Sequence, residues 1–275
     1  MATLPQPQII TDMYEAASRA RGTKGRSYLG MSGIGGRCER ALWYAFRGYT
    51  PSALEGRAQM IFNLGDLVEQ EVLKWLRAAG YRIAEQQREF VALNGYFRGH
   101  CDGVIEGVTK RPHILEIKSA SSGRFKMFQK DGIRAVSEEY WAQVQCYMGY
   151  GGLDRAVWVV MNKDTCELYS ERAHFAKSEF KALEEKAARI INAKDKPPRG
   201  YPEGARECGR CGYAGHCASE DPYVQTTQTC GSCWYCEPEN GHMFCRFPAH
   251  PNEITRWGEC CLDWKFRQDI DRVPF

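Results

Sequence analysis

The order of hydrophobic patterns along the chain predicts an α/β fold, a mixed β-sheet flanked by helices with a small cysteine-rich, metal-bound module at the C-terminal end. Three observations carry this. Helix-like and strand-like stretches alternate up to Asp195. Beyond it the run KDKPPRGYPEGARE is charged and rich in Pro and Gly, as linkers are. Of the 13 cysteines, nine lie between Cys208 and Cys261, and only Cys38, Cys101, Cys146 and Cys166 precede them. A chain of 275 residues can bury a real core, so the cysteines are not needed as its substitute. Clustered thiols at C-x-x-C spacing in a reducing compartment point to metal.

Each element has its own signal. Residues 8–21 and 37–47 read as helices. Between Gly56 and Ala79, Met60, Ile61, Leu64, Leu67, Val68, Val72, Leu73 and Leu76 recur at helical spacing, and Gly80 is a suitable stop. RIAEQQREFVAL and YFRGHCDGVI read as two strands of one hairpin around Asn94-Gly95, whose residues accept the positive φ angles of a tight turn. HILEIKSA (113–120) is a third strand. Residues 137–150 are helical, 155–163 and the CELYSERAHF stretch are strands, and 177–194 form a charged helix. Two domains are expected, residues 1–220 and 221–275.

The start, MATLPQPQIITDMYEAAS, has no basic, apolar and small-residue succession of a secretory signal. No apolar run approaches the ~20 residues of a membrane span. A cytoplasmic location without membrane attachment is expected. The net charge of +3 announces no nucleic acid globally, so any basic surface must be local. One such stretch exists. From Lys110 to Arg134 seven basic residues stand against two acids, and Arg124, Lys126 and Lys130 within it are candidates for gripping phosphates.

The third strand carries Glu116-Ile117-Lys118. Side chains two apart share a face of a strand, so Glu116 and Lys118 project together and Ile117 faces the core. Alone, this is what any half-buried strand shows. Asp102 lies upstream where a hairpin can bring it beside Glu116, Glu69 sits on the long helix in the context Gly65-Asp-Leu-Val-Glu69, and Gln143 and Tyr147 lie one helical turn apart. Converging carboxylates suit a hard divalent cation. Mg²⁺ or Mn²⁺ on Asp102, Glu116 and Glu69 would polarise a scissile phosphate and supply hydroxide, with Lys118 orienting the water or offsetting charge.

This ordered set resembles the PD-(D/E)XK nuclease superfamily, in its RecB-like and phage-exonuclease branches, over roughly residues 30–220. The resemblance implies a restriction-endonuclease-like core, the Ile117 carbonyl as a further ligand, and Gln143 and Tyr147 supporting the site and meeting the DNA strand. RecB-like nucleases commonly carry His where Glu69 stands. Phage lambda-type exonucleases use a carboxylate there, and the chain resembles them in this.

The spacing Cys208-x2-Cys211-x5-Cys217 offers three thiolates. Cys38-Glu-Arg40-Ala-Leu-Trp43-Tyr44 resembles the lone N-terminal cysteine segment of superfamily members that bind a [4Fe-4S] cluster, which takes four thiolates. The resemblance implies a cluster on Cys38, Cys208, Cys211 and Cys217 that staples the ends of the nuclease domain. Zinc with His216 or Cys38 as fourth ligand is the alternative. The run from Cys230 resembles small four-cysteine modules and implies Zn²⁺ on Cys230, Cys233, Cys245 and Cys261, with Cys236, Cys260, His242 and His250 as alternates. From Cys230 onward there are seven acids and five bases, which is no phosphate-gripping surface. Trp234, Tyr235 and Trp257 would suit protein contact or a wedge against DNA. Cys101, Cys146 and Cys166 read as buried structural thiols, and His100 as facing DNA or packing.

Together these readings predict a metal-dependent DNA exonuclease that meets DNA without sequence preference at ends or as single strands. A phage recombination or DNA-end-processing setting, with a recombination or replication protein as partner and a ring-forming oligomer, is what the resemblance admits, as is CRISPR adaptation. The rival from another class is a non-catalytic iron–sulfur DNA-binding or assembly protein on the same scaffold.

Overall fold

A computed structural model describes residues 7–20, 28–49, 51–52, 56–218, 229–233, 235–248, 253–254 and 261. Cys260, His250, Trp234 and Trp257 lie outside them. The elements are α1 (Gln8–Ala20), β1 (Leu29–Gly30), α2 (Glu39–Phe46), α3 (Gly56–Ala78), β2 (Arg82–Ala84), β3 (Glu89–Ala92), β4 (Phe97–His100), β5 (Gly103–Glu106) and β6 (His113–Ala120). They continue with α4 (Ser122–Asp131), α5 (Ile133–Val136), α6 (Glu138–Gly151), β7 (Arg155–Asn162), β8 (Leu168–His174), α7 (Lys177–Asn192), α8 (Ala214–Ala218), β9 (Cys236–Glu239) and β10 (His242–Cys245).

The central sheet has five strands in the order β2-β5-β6-β7-β8. Only the β6–β7 pair is parallel, from Ile114↔Ala156 to Ala120↔Asn162, and the crossover between them carries α4, α5 and α6. The mixed sheet flanked by helices is therefore as expected. Strand β6 shows why two layers form on it. Leu115 and Ile117 pack with Val68, Val72 and Leu73 of α3, while Ile114 belongs to the larger core with Val144 and Met148 of α6. Each such buried aliphatic side chain contributes about 1.5–3 kcal/mol.

The expected hairpin is corrected in one respect: each of its strands is cut in two. β4 pairs with β3 on one side and β1 on the other in a separate three-stranded sheet, whereas β2 and β5 join the central one. The upstream break carries Glu85 (φ 45°) and Gln87 (φ 55°), a left-handed backbone that cannot continue a ladder. The downstream break is Cys101-Asp102. The turn also differs, because Leu93 (φ 48°), Asn94 (φ 56°) and Gly95 (φ 86°) are all left-handed, not just two residues.

Sequence reading left the basic stretch after β6 without an element. It forms α4, which buries Phe125 and Phe128 and ends at Gly132, with φ 79°. Cys101 and Cys146 are buried as expected, but Cys166 is exposed. It sits at φ 63° in the turn before β8, which leaves it outside the ladder and the core.

Beyond α8, the β9–β10 hairpin packs on the body of the protein. Cys233, Cys236, Met243 and Ile254 share the larger core with Trp43, Phe46 and Phe97. Fully buried Arg47 donates to the Ala193 carbonyl at 2.7 Å and to the Cys236 carbonyl at 3.5 Å, and Lys194 pairs with Glu237 at 2.5 Å. Among the described residues, no helix is long and apolar enough to cross a membrane.

Candidate active site

Asp102, Glu116 and Lys118 come together where the break in the hairpin faces the middle of β6, and Glu69 lies near enough to feel the charge of Asp102 and Lys118. Because Asp102 falls between β4 and β5, it belongs to neither ladder, and its Oδ2 accepts from the Ile117 amide at 2.6 Å. Glu116 is 2% exposed and pairs with Lys118, which lies on the same face of β6. Ile117 points the other way into the α3 layer, so any share it takes in a cation is through its backbone. Glu69 reaches in from α3, and Gln87 donates to its Oε1 at 2.9 Å.

The electrostatics are those of acids crowded in a dry place. Burial, and then the neighbouring Asp102, push Glu116 up to about 8, against the opposing pull of Lys118. Asp102 is raised by burial, with Lys118 and the Ile117 amide working against the rise. Glu69 is raised by burial and by Asp102. For Lys118 burial acts downward, but Glu116 and Asp102 together outweigh it and hold the ammonium protonated. Glu116 Oε2 is buried and has no hydrogen-bond partner. A buried carboxylate oxygen left without a donor costs on the order of 1–3 kcal/mol unless a cation or proton meets it. These donors are all hard oxygens, which fits a divalent cation of the Mg²⁺ or Mn²⁺ kind.

Gln143 Nε2 donates to the Tyr147 hydroxyl at 2.9 Å. Tyr147 is 1% exposed and stacks on Phe90 with centroids 5.0 Å apart. A side chain on Gly99 would come within 2.6 Å of the Tyr147 ring, so the glycine permits this packing. Both Gln143 and Tyr147 are buried rather than presented at the surface.

Arg124, Lys126 and Lys130 are exposed on α4. The Arg124 guanidinium lies 5.1 Å from the ring centroid of Tyr140, and Lys118 Nζ lies 4.9 Å from the same centroid. His100 is exposed and faces Glu89 at 3.7 Å. Two residues at the site were missed in the sequence, Gln87 and Tyr140. Neither has a motif, and only long-range contacts reveal them.

Cys38, Cys208, Cys211 and Cys217 line one cavity of about 130 Å³ together with Arg40, Tyr44 and Tyr213. Cys38 Sγ accepts from the Gly200 amide at 3.4 Å, Cys211 Sγ from the Tyr213 amide at 3.4 Å, and Cys217 Sγ from Arg40 Nη1 at 3.5 Å. Burial pushes the Cys211 thiol up, against the opposing pull of the Tyr213 amide. His216, the alternative fourth ligand, instead packs its ring beside Tyr44 and Tyr49 at 5.8 and 5.2 Å. All four are of the donor type an iron–sulfur cluster takes.

In the β9–β10 hairpin Cys236 stands directly opposite Cys245. The Cys230 thiol is pushed up to about 12 by burial, then by Cys236, Cys233, Cys261 and Cys245. Cys236 thus accompanies the expected four, while His242 is taken up by Glu253 at 2.7 Å. Among the described residues, no three His, Cys, Asp or Glu side chains converge to the spacing of a metal site. The active-site carboxylates are held by Lys118, Gln87 and the Ile117 amide.

The chain matches the YqaJ-like viral recombinase domain over residues 76–154. That stretch includes Asp102, Glu116, Lys118, Gln143 and Tyr147 and stops short of Glu69. Among solved structures, the protein SSO0001 is 14% identical over 77% of this chain and 97% of its own, with a TM-score of 0.47. An alkaline exonuclease from Laribacter hongkongensis is 13% identical over 66% of this chain and 90% of its own, with a TM-score of 0.45. A phage-related exonuclease from Haemophilus somnus 129PT is 16% identical over 46% of this chain and 66% of its own, with a TM-score of 0.35. No curated protein matches the chain.

Proposed function

We propose that this protein is a Mg²⁺- or Mn²⁺-dependent DNA exonuclease of the PD-(D/E)XK phage-exonuclease type, acting in viral recombination or DNA-end processing. The observation that carries the reading is the buried Glu116, with an unpartnered Oε2, beside Asp102 and Lys118 on one face of β6 and its entry break. The match to a viral recombinase domain across these residues supports the setting.

Asp102, Glu116 and Glu69, with the Ile117 carbonyl, would hold the cation. Bound there, it supplies charge neutralisation at the phosphate and a water acidic enough to ionise near neutral pH. Lys118 then directs an ammonium hydrogen at the attacking water or at an equatorial phosphate oxygen, where negative charge grows. Gln143 and Tyr147 hold the wall behind Glu116 in place. Arg124, Lys126 and Lys130 would meet backbone phosphates, which carry no sequence information, so binding is nonspecific.

In the same reading Cys38, Cys208, Cys211 and Cys217 hold a [4Fe-4S] cluster that ties α2 to the segment after α7. Zinc is held by thiols of the group Cys230, Cys233, Cys236, Cys245 and Cys261 in the module of residues 221–275. The decisive assay incubates linear DNA with Mg²⁺ or Mn²⁺ and the wild-type, Lys118→Ala and Asp102→Ala proteins. Release of nucleotides by wild type alone is expected. Equal degradation by all three sinks the site assignment, and no degradation by any of them favours a non-catalytic DNA-binding role.

A further inference from the structure

Tyr140 stands between the two cations that face the site, although no motif includes it. It is the third residue of α6, and its amide donates to the side chain of the N-cap residue Ser137 at 3.4 Å. Its ring lies 6.2 Å from that of Phe128 on α4, tilted by 31°. The ring is therefore fixed from two sides, by its helix and by the neighbouring one. Lys118 Nζ lies 4.9 Å from the ring centroid and the Arg124 guanidinium 5.1 Å from it. Arg124 also lies 5.4 Å from the Phe128 ring.

We propose that Tyr140 is a positioning residue, whose ring holds the Lys118 ammonium and the Arg124 guanidinium in register and so couples the phosphate grip to the reacting phosphate. The negative face of an aromatic ring attracts a cation without supplying an oxygen that would compete for a metal or a proton. This matters for Lys118. Its present partner is Glu116, and a divalent cation on that carboxylate would draw the oxygens away from the ammonium. A flexible four-carbon stem then needs a second fixed contact to stay aimed, and the Tyr140 ring is there.

The same contact separates the three basic residues of α4. Arg124 is drawn toward the site by two rings, whereas Lys126 projects about 200° around the helix from it. Arg124 is thereby assigned to the phosphate next to the scissile one, and Lys126 to more distant DNA.

The inference rests on the nuclease reading, and the experiment separates the two. Steady-state cleavage of linear DNA by the full chain is measured for wild type, Lys118→Ala, Tyr140→Leu and Tyr140→Phe, with a series in which position 140 carries phenylalanine with increasing ring fluorination. If wild type does not cleave, the nuclease reading fails and this inference with it. If wild type cleaves and Lys118→Ala does not, the nuclease reading stands and the series decides.

The expected result is a kcat for Tyr140→Phe within about twofold of wild type. Tyr140→Leu should fall about 5- to 30-fold, the span of a cation–π contact between exposed and desolvated settings. kcat should decline stepwise with fluorination, which drains the ring face at nearly constant shape. A flat fluorine series overturns the proposal, even if Tyr140→Leu fails to fold. So does a Tyr140→Phe variant as slow as Tyr140→Leu, because that would assign the effect to the hydroxyl.

Discussion

The Oδ2 atom of Asp102 accepts a hydrogen bond from the Ile117 amide at 2.6 Å, joining the break in the hairpin to the middle of β6. One carboxylate thus has two tasks, to cap a backbone donor and to stand beside Glu116.

Those tasks separate by substitution. Asp102→Asn keeps an oxygen that can accept from Ile117 but removes the charge. It should keep stability within about 1 kcal/mol and lose at least about 10³-fold in cleavage. Asp102→Ala leaves the amide unpaired and should cost about 1–3 kcal/mol as well. Urea denaturation beside the cleavage assay checks both, and equal destabilisation by the two variants contradicts the capping role.

The raised Glu116 sets a pH dependence with a defined sign. Its folded-state value of about 8 stands above the usual 4.5, so between those values the native state holds a proton that the unfolded state has lost. Without divalent cation, stability should therefore fall as pH rises from about 4.5 to about 8 and then level off. Mg²⁺ replaces the proton, so the rise in Tm on adding it should be larger at pH 8.5 than at pH 6. Glu116→Gln should flatten both trends in thermal melts.

Gln87 orients Glu69 from a left-handed backbone at φ 55°. Gln87→Gly removes both the strain and the hydrogen bond. Stability should stay level or rise by up to about 1 kcal/mol. The Mg²⁺ concentration needed for half-maximal cleavage should rise severalfold. An unchanged metal requirement would show that Glu69 needs no such guide.

The cavity lined by Cys38, Cys208, Cys211 and Cys217 predicts iron in protein purified without oxygen, with broad visible absorption. Cys208→Ser should lose the iron and lower Tm by several degrees, since the cluster links segments far apart in the chain. Colourless wild-type protein with zinc in its place would overturn the cluster assignment.

The long helix, the E-x-K strand and the mixed sheet flanked by helices were legible in the sequence. Hydrophobic spacing is local, and β6 needed only its own alternation to put Glu116 and Lys118 on one face and Ile117 on the other. Of the four thiols that line the first cavity, spacing offered Cys208, Cys211 and Cys217, and only Cys38, remote from them in the chain, came through a resemblance.

Tertiary structure decided the rest. Strand periodicity does not say which neighbour a strand will pair with, so the division of the hairpin between two sheets was hidden, and with it the pocketed position of Asp102. Left-handed conformations at Glu85 and Gln87 leave no mark in residue type, since neither is glycine. The burial of Tyr147 comes from packing against Phe90 and the close approach of Gly99. Tyr140 acquires its two cations from β6 and α4. Residue types and spacing determined the chemistry on offer, and contacts between remote segments determined which groups meet, because desolvation and ring–cation attraction depend on distance in space.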